Sequence, residues 1–168
     1  SLTDMDCTKK TPIGTLLCSF LPTKGVKKLI AWDSFSLAYD GSKKKIRIQS
    51  EERLFEIDIS HCLVKQWMQL VFIPRKNLIY VNGSQISLSE SICLSVPNTS
   101  MTIGSEKCYI TQIAAYSDEW SDLQVKETCQ NIDLNRITEK IRIKVRIVCG
   151  TAVRFFIESN NTELQYYF

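Results

Sequence analysis

The chain reads as an all-β protein, an antiparallel jelly-roll β-sandwich with one short helix. Three observations carry that reading. Short runs rich in β-branched and aromatic residues recur along the chain, the turn-forming pairs Asp40-Gly41 and Asn82-Gly83 punctuate them, and one stretch after Ser121 carries a helix start signal. With 168 residues and 44% apolar content, the chain can bury one sizeable core, or one core and a small appendage.

Between Pro12, Gly14, Pro22 and Gly25, the apolar run from Ile13 to Leu21 predicts one short strand. Leu29 to Trp32, Phe35 to Tyr39, Ile46 to Gln49 and Leu54 to Ile59 follow in the cadence of an antiparallel meander, with Asp40-Gly41 turning between the second and third. The Lys43-Lys44-Lys45 cluster beside that turn reads as a solvated loop tip. In Trp67 to Ile73, Trp67, Gln69, Val71 and Ile73 alternate with Met68, Leu70 and Phe72. Apolar residues fill both sets, so this strand is expected to be buried on both faces. Pro74 to Lys76 interrupts the apolar pattern, Leu78 to Val81 resumes it, and Asn82-Gly83 suits a tight hairpin because both residues tolerate positive φ.

Ser121 and Gln124 have the spacing of a capping box, which opens a short helix. Leu123, Val125 and Cys129 are expected to face inward, and Cys129, held by a disulfide, to end it. From Arg136 the character changes. Ile141, Ile143, Val145 and Ile147 alternate strictly with Arg142, Lys144 and Arg146, which gives an extended chain one apolar and one cationic face. This predicts an edge or outer strand whose cations oppose aggregation, or alternatively a stripe for sulfated glycans or an acidic partner. Val153 to Glu158 and Leu164 to Phe168 predict two further strands. Residues 1–135 are assigned to the sandwich, and 136–168 to strands that complete it or begin a following module.

The seven cysteines are scattered singly, without the paired spacing that holds zinc or runs thiol exchange. Three Asn-x-Ser/Thr sequons, at Asn82, Asn98 and Asn160, all fall in predicted turns. Together these predict a disulfide-bearing glycoprotein of the secretory pathway, secreted or displayed at the cell surface. Cys93 with Cys108, and Cys129 with Cys149, are the pairings suggested by proximity across predicted turns. No apolar run reaches the length of a membrane span, and no leader is visible at the first residue, which suits a mature or excised soluble segment. A net charge of +3, without aromatic-interleaved basic motifs, argues against nucleic acid.

The residues offer no catalytic constellation. His61, the single histidine, stands beside Cys62, and no carboxylate pair, phosphate-binding loop or metal cluster is apparent. Asp118, Glu119 and Asp122 are acidic enough to consider calcium, yet acidic residues at a helix start are favoured by the helix dipole alone. No enzyme activity, no cofactor and no metal are therefore expected.

His61-Cys62, then Trp67 five residues after the cysteine, then Val81-Asn82-Gly83 resemble the signature that leads into a strand and a Val-Asp-Gly or Val-Asn-Gly turn in pentraxins. Leu29 to Trp32 and Phe35 to Leu37 look like the strands before it. Met101 to Gly104, Tyr109 to Tyr116 and the helix at Ser121 follow in that family's order. From Cys7 to Cys129 the chain is thus similar to the pentraxin and laminin-G-like superfamily, and among its members to the divergent pentraxin-like domains of adhesion G-protein-coupled receptors. The resemblance implies a bridge from Cys62 to an early-strand cysteine, for which Cys7 is the candidate, and leaves Cys18 over. It departs from the family at both calcium loops, where Pro22 to Lys28 and Ser105 to Cys108 lack the ligands. The implied function is an extracellular, non-catalytic recognition module that binds a protein or sulfated glycan without calcium, with Arg142, Lys144 and Arg146 as the candidate contacts. The alternatives are a secreted, self-assembling pentraxin-like protein or a viral or parasite attachment protein.

Overall fold

The computed structural model describes residues 12–62, 67–97, 100–105, 108–131, 141–149, 151–159 and 164–167. Thirteen strands occur among them: β1 (Thr15–Leu21), β2 (Val26–Trp32), β3 (Phe35–Asp40), β4 (Lys45–Ser50), β5 (Arg53–Asp58), β6 (Met68–Ile73), β7 (Leu78–Val81), β8 (Ser84–Ser87), β9 (Ser100–Ile103), β10 (Tyr109–Tyr116), β11 (Ile141–Cys149), β12 (Thr151–Ser159) and β13 (Leu164–Tyr167). One helix, α1, spans Asp122–Asn131. The strands form a seven-stranded sheet in the order β12-β11-β10-β1-β6-β7-β8 and a six-stranded sheet in the order β13-β9-β2-β3-β4-β5. The all-β sandwich expected from the sequence is the observed architecture.

Period-two alternation explains how the sheets meet. Leu16, Cys18 and Phe20 of β1 and Met68, Leu70 and Phe72 of β6 enter one buried cluster with Leu37 and Tyr39 of β3 and Ile46 and Ile48 of β4. Phe35 stacks on Phe72 across the two sheets, ring centroids 6.4 Å apart, and Phe20 meets Tyr39 at 5.4 Å. Pairing is antiparallel except between β10 and β11, which run parallel. Strand β6 is buried along its whole length, as its double apolar pattern requires. Its second face, with Val71 and Ile73, joins Leu17, Tyr80, Ala114 and Val125 in a separate cluster beneath α1.

The helix begins as its capping box demands. Ser121 N–H donates to Gln124 Oε1 at 3.0 Å, and Gln124 N–H donates to Ser121 Oγ at 3.2 Å. The inward residues differ from expectation: Val125 is fully buried, whereas Leu123 is 66% exposed and Cys129 half-buried. A short, mostly polar helix sets only a narrow stripe on the sheet, and Val125 occupies it. The helix continues past Cys129 to Asn131, so no disulfide at Cys129 ends it.

Turns follow their chemistry. Asn82 and Gly83 take φ of 49° and 86°, both positive, as a two-residue hairpin between β7 and β8 needs. Asn77 closes the 3₁₀ turn Pro74–Lys76 at φ 57°. Strand β8 escapes the sequence pattern because Ser84-Gln85-Ile86-Ser87 offers a single apolar residue. The C-terminal strands join both sheets: β11 pairs with β10, and β13 with β9. Strand β11 therefore lies inside the seven-stranded sheet between β10 and β12, which corrects the expectation of an edge or outer strand.

Thr15 connects the sheet to the helix entrance. Its buried hydroxyl donates to the Asp118 carbonyl at 2.7 Å and accepts from Trp120 N–H at 2.9 Å. Thr15→Val keeps the shape but leaves both backbone groups unpaired, and should lower the unfolding free energy by about 2 kcal/mol in denaturant titration, with Thr15→Ser costing about 1 kcal/mol or less.

Candidate functional site

Hydrogen bonds of the Asp40 side chain and of two backbone pairs gather lysines at one end of the six-stranded sheet. Asp40, the last residue of β3, accepts at Oδ1 from Ser42 N–H at 3.0 Å and Lys43 N–H at 3.1 Å, which stiffens the turn before β4. Gly41 N–H donates to the Gly25 carbonyl at 2.9 Å, so this turn rests on the loop between β1 and β2. A side chain at Gly41 would collide with the Thr23 carbonyl, so only glycine permits the approach. The Lys44 carbonyl accepts from Ile59 N–H at 3.0 Å, which ties in the segment after β5.

Lys24, Lys43 and Lys44 thereby stand exposed on adjoining loop tips. Lys28, Lys45 and Arg47 lie next to them on the sheet. Tyr39, Ile46 and Ile57 share one register row and are buried in the core, so the adjacent row of Lys28, Ala38, Arg47 and Glu56 faces outward. Lys45 occupies the next outward row with Asp40 and Asp58. Between the cations and β9 the outward residues are small: Ala31, Ser36, Ala38 and Thr102. The face is a shallow floor with charge at one end.

The carboxylates at this end are engaged. Asp40 is buried and holds its turn, Glu56 lies 3.7 Å from Lys45, and Asp58 accepts from Ser60 N–H at 2.8 Å. The Ser60 hydrogen bonds, with smaller help from His61 and Lys45, hold the Asp58 carboxyl below its ordinary range. Lys24, Lys28, Lys43, Lys44, Lys45 and Arg47 set six cations against Asp40, Glu56 and Asp58, an excess of three at one end of a chain whose net charge is +3. Adjacent strands are about 5 Å apart. Neighbouring cations on the sheet thus fall within the screening length of about 10 Å at 0.1 M salt, and their potentials add.

The residues singled out in the sequence fall elsewhere. Lys144 and Arg146 of β11 take register positions opposite Gln112 and Ala114 of β10, and Arg142 lies opposite Glu158 of β12. They share a strand remote in connectivity from the lysine loops. Asn82 accepts at Oδ1 from Gln69 N–H at 2.9 Å, which makes the first sequon part of the hairpin; Asn98 and Asn160 lie outside the described residues. Among the described residues, no group of His, Cys, Asp and Glu converges to hold a metal ion, and no helix is long and apolar enough to cross a membrane.

Cys18, Cys62, Cys93, Cys108 and Cys129 are free thiols, so the expected Cys93–Cys108 bridge is not formed and neither Cys62 nor Cys129 is paired. Cys7 lies outside the described residues. Cys93 is exposed in the segment after β8 and Cys108 is buried, so adjacency across a predicted turn did not translate into adjacency in space. Burial pushes the Cys18 thiol far up, and Cys108 nearby adds to it; burial likewise raises Cys108. Burial, then Asp58, raises Cys62 beside the exposed His61.

No family model matches the chain, and no curated protein matches it significantly. Among solved structures it aligns with a sialidase of Trypanosoma rangeli in complex with 2-keto-3-deoxy-D-glycero-D-galacto-2,3-difluoro-nononic acid, at 14% identity and a TM-score of 0.42. The alignment covers 71% of this chain and 23% of that one. The sequence reading excluded catalysis. The aligned structure is an enzyme's, so that exclusion is withdrawn, while a match at this level assigns no activity to the chain.

The sequence treats Lys43 to Lys45 as a solvated loop tip and does not connect them with Lys24 and Lys28. Both clusters flank a glycine, Gly25 and Gly41, but only the fold shows those glycines touching.

The raised groups set an alkaline limit. Burial raises the phenols of Tyr39 and Tyr80 as well as the thiols, with Asp40 and Asp122 respectively adding to it. Each such group holds its proton more tightly folded than unfolded. The stability they lend is whole below the ordinary values of 9.0 and 10.0 and is lost as pH rises through the folded values. The denaturation midpoint should therefore fall steadily above about pH 9, and native-state alkylation at neutral pH should label Cys93 well before Cys18 or Cys108.

Proposed function

We propose that this chain is an extracellular recognition module, of the pentraxin-like kind found in cell-surface adhesion receptors, which binds a sulfated glycan through the lysine-rich end of its six-stranded sheet. The observation that carries this reading is the convergence of Lys24, Lys43 and Lys44 on loops joined by the Gly41–Gly25 hydrogen bond, beside Lys28 and Arg47. Binding residues concentrate on loops positioned by a rigid scaffold, and here the scaffold is the sheet beneath them. Two further features support the reading. The order of His61-Cys62, Trp67 and Val81-Asn82-Gly83 resembles pentraxins, and three sequons suit the secretory pathway.

A sulfated glycan fits better than a compact acidic ligand. The cations are spread over loop tips and two outward rows instead of lining a cleft, and the small floor of Ala31, Ser36 and Ala38 lets an extended chain lie flat. Charges on such a surface add modestly and are screened by salt. The expected interaction is thus of moderate strength, fast to form and salt-sensitive.

Heparin-affinity chromatography tests the reading. Lys24→Ser/Lys43→Ser/Lys44→Ser should elute at clearly lower salt and lose about tenfold in affinity, with an unchanged melting temperature. Chelation with EDTA should leave retention as it was. Arg142→Ser/Lys144→Ser/Arg146→Ser is the matched control: if this triple alone abolished retention, the glycan surface would lie on β11 and the lysine loops would lose their role.

A further inference from the structure

Strand β5 ends the six-stranded sheet and β8 ends the seven-stranded sheet. Between these edges runs a groove of about 440 Å³, lined by Leu54 to Asp58 on one side and Ile86 to Ser89 on the other. Phe55, Ile86 and Leu88 form its partly buried apolar floor. One end is closed, because Arg53 Nη1 donates to Glu90 Oε2 at 2.9 Å and to the Ser91 carbonyl at 3.4 Å, across from one sheet to the segment after the other.

The backbone of β5 is prepared for another strand. Its pairing with β4 is unbroken from Ser50–Arg53 to Lys45–Asp58, and the same register continues to Ile59, whose N–H donates to Lys44. Hydrogen-bonded pairs alternate along an antiparallel ladder, so the odd-numbered residues of β5 bond β4. The N–H and C=O groups of Leu54, Glu56 and Asp58 therefore point to the free edge. Among the described residues no strand pairs with this edge, which carries no proline, no lysine and no bulge and is guarded by the charges of Arg53, Glu56 and Asp58. Leu54 is 49% exposed beside this edge.

Charge selects the occupant. The ionisable residues of the groove are Glu56 and Asp58, both exposed and both on the outward row of the free edge. Lys45 is 3.7 Å from Glu56, but the pair is solvent-exposed and binds weakly. A second copy pairing β5 on β5 about a two-fold axis would set Glu56 against Glu56, Glu56 against Asp58, or Glu52 against Asp58, like charges in each central register. A strand with basic residues opposite Glu56 and Asp58, and apolar residues between them facing Phe55, Ile86 and Leu88, satisfies both rows at once.

We propose that the β5 edge and the adjoining groove bind an extended peptide of alternating basic and apolar residues, which adds as a seventh strand to the six-stranded sheet. This site is separate from the lysine loops and does not depend on them. Main-chain bonds to Leu54, Glu56 and Asp58 supply affinity, and the side-chain alternation supplies selectivity.

Fluorescence anisotropy with a short labelled peptide of alternating lysine and valine tests this. The peptide should bind the intact chain with a Kd under about 1 mM, while its glutamate–valine counterpart should not. N-methylation of every second peptide residue, on the edge that would meet β5, should weaken binding about tenfold or more without any change to the protein. Glu56→Lys/Asp58→Lys should lose the basic peptide and gain the acidic one, with the melting temperature as the folding control. Binding that is indifferent to N-methylation and to the charge reversal would overturn the proposal, as would absence of binding, or a dimer in light scattering that the reversal dissolves. Loss of heparin retention in Lys24→Ser/Lys43→Ser/Lys44→Ser would leave peptide binding in place, so the two surfaces are judged independently.

Discussion

Burial of one register row on the six-stranded sheet fixes both of the surfaces proposed to bind. Because Tyr39, Ile46 and Ile57 are drawn into the core against β1 and β6, the neighbouring rows have no freedom to turn inward. A slip of one residue would invert every side chain on the sheet, exposing Ile46 and Ile48 and burying Lys45 and Arg47. Burying two cations without partners costs far more than any alternative pairing returns. The hydrophobic contact between the sheets thus fixes where the charge stands, although none of the charged residues takes part in it.

The seven-stranded sheet meets a different demand. Its outer face is apolar at Leu17, Val71 and Ile73, and such a face is stable only when something lies on it. Helix α1 supplies the cover through Val125, with Tyr116 and Trp120 packed beside it at a centroid distance of 4.7 Å. Thr15 and the capping box hold the chain at the helix entrance, so the cover is positioned by hydrogen bonds as well as by burial. The outward rows of the six-stranded sheet hold small, polar and charged residues with Val26 and Leu54 among them, and form no buried apolar stripe like that of Val71 and Ile73. Among the described residues no helix lies on the six-stranded sheet, in keeping with the polarity of its outward rows.

Much of this was legible in the sequence. Strict alternation in β3 and β4, the double apolar pattern of β6, the Asn82-Gly83 hairpin and the Ser121–Gln124 cap are all local signals, and each appears where local chemistry places it. What failed were statements about distance in space. The parallel pairing of β11 with β10, the unbridged Cys93 and Cys108, and the exposed Leu123 depend on contacts between segments far apart in sequence. The candidate site was missed for this reason: Lys24 and Lys43 each read as ordinary turn residues, and the hydrogen bond from Gly41 to Gly25 that unites their loops has no sequence signature. The alternating Arg142, Lys144 and Arg146 gave the stronger pattern, but a periodicity reports a strand and not where that strand lies in the sheet.

Strand β4 and the edge strand β5 show how one hairpin supports two opposite chemistries. The charged outward residues on β4 are Lys45 and Arg47, and those opposite them on β5 are Asp58 and Glu56. Across the pair the charges compensate, which stabilises the hairpin slightly and keeps acid beside base. At the lysine loops, beyond the end of the sheet, Asp40 is buried in its turn and the exposed Lys24, Lys43 and Lys44 outnumber it. At the free edge of β5, by contrast, the cations of β4 lie one strand behind and the carboxylates stand in front. The basic row of β4 and the acidic row of β5 are one strand apart, closer than the screening length, so each weakens the field of the other. A polyanion approaching from the loops and a basic strand approaching from the edge would each meet the nearer row first, and the ladder between β4 and β5 keeps those rows from exchanging places.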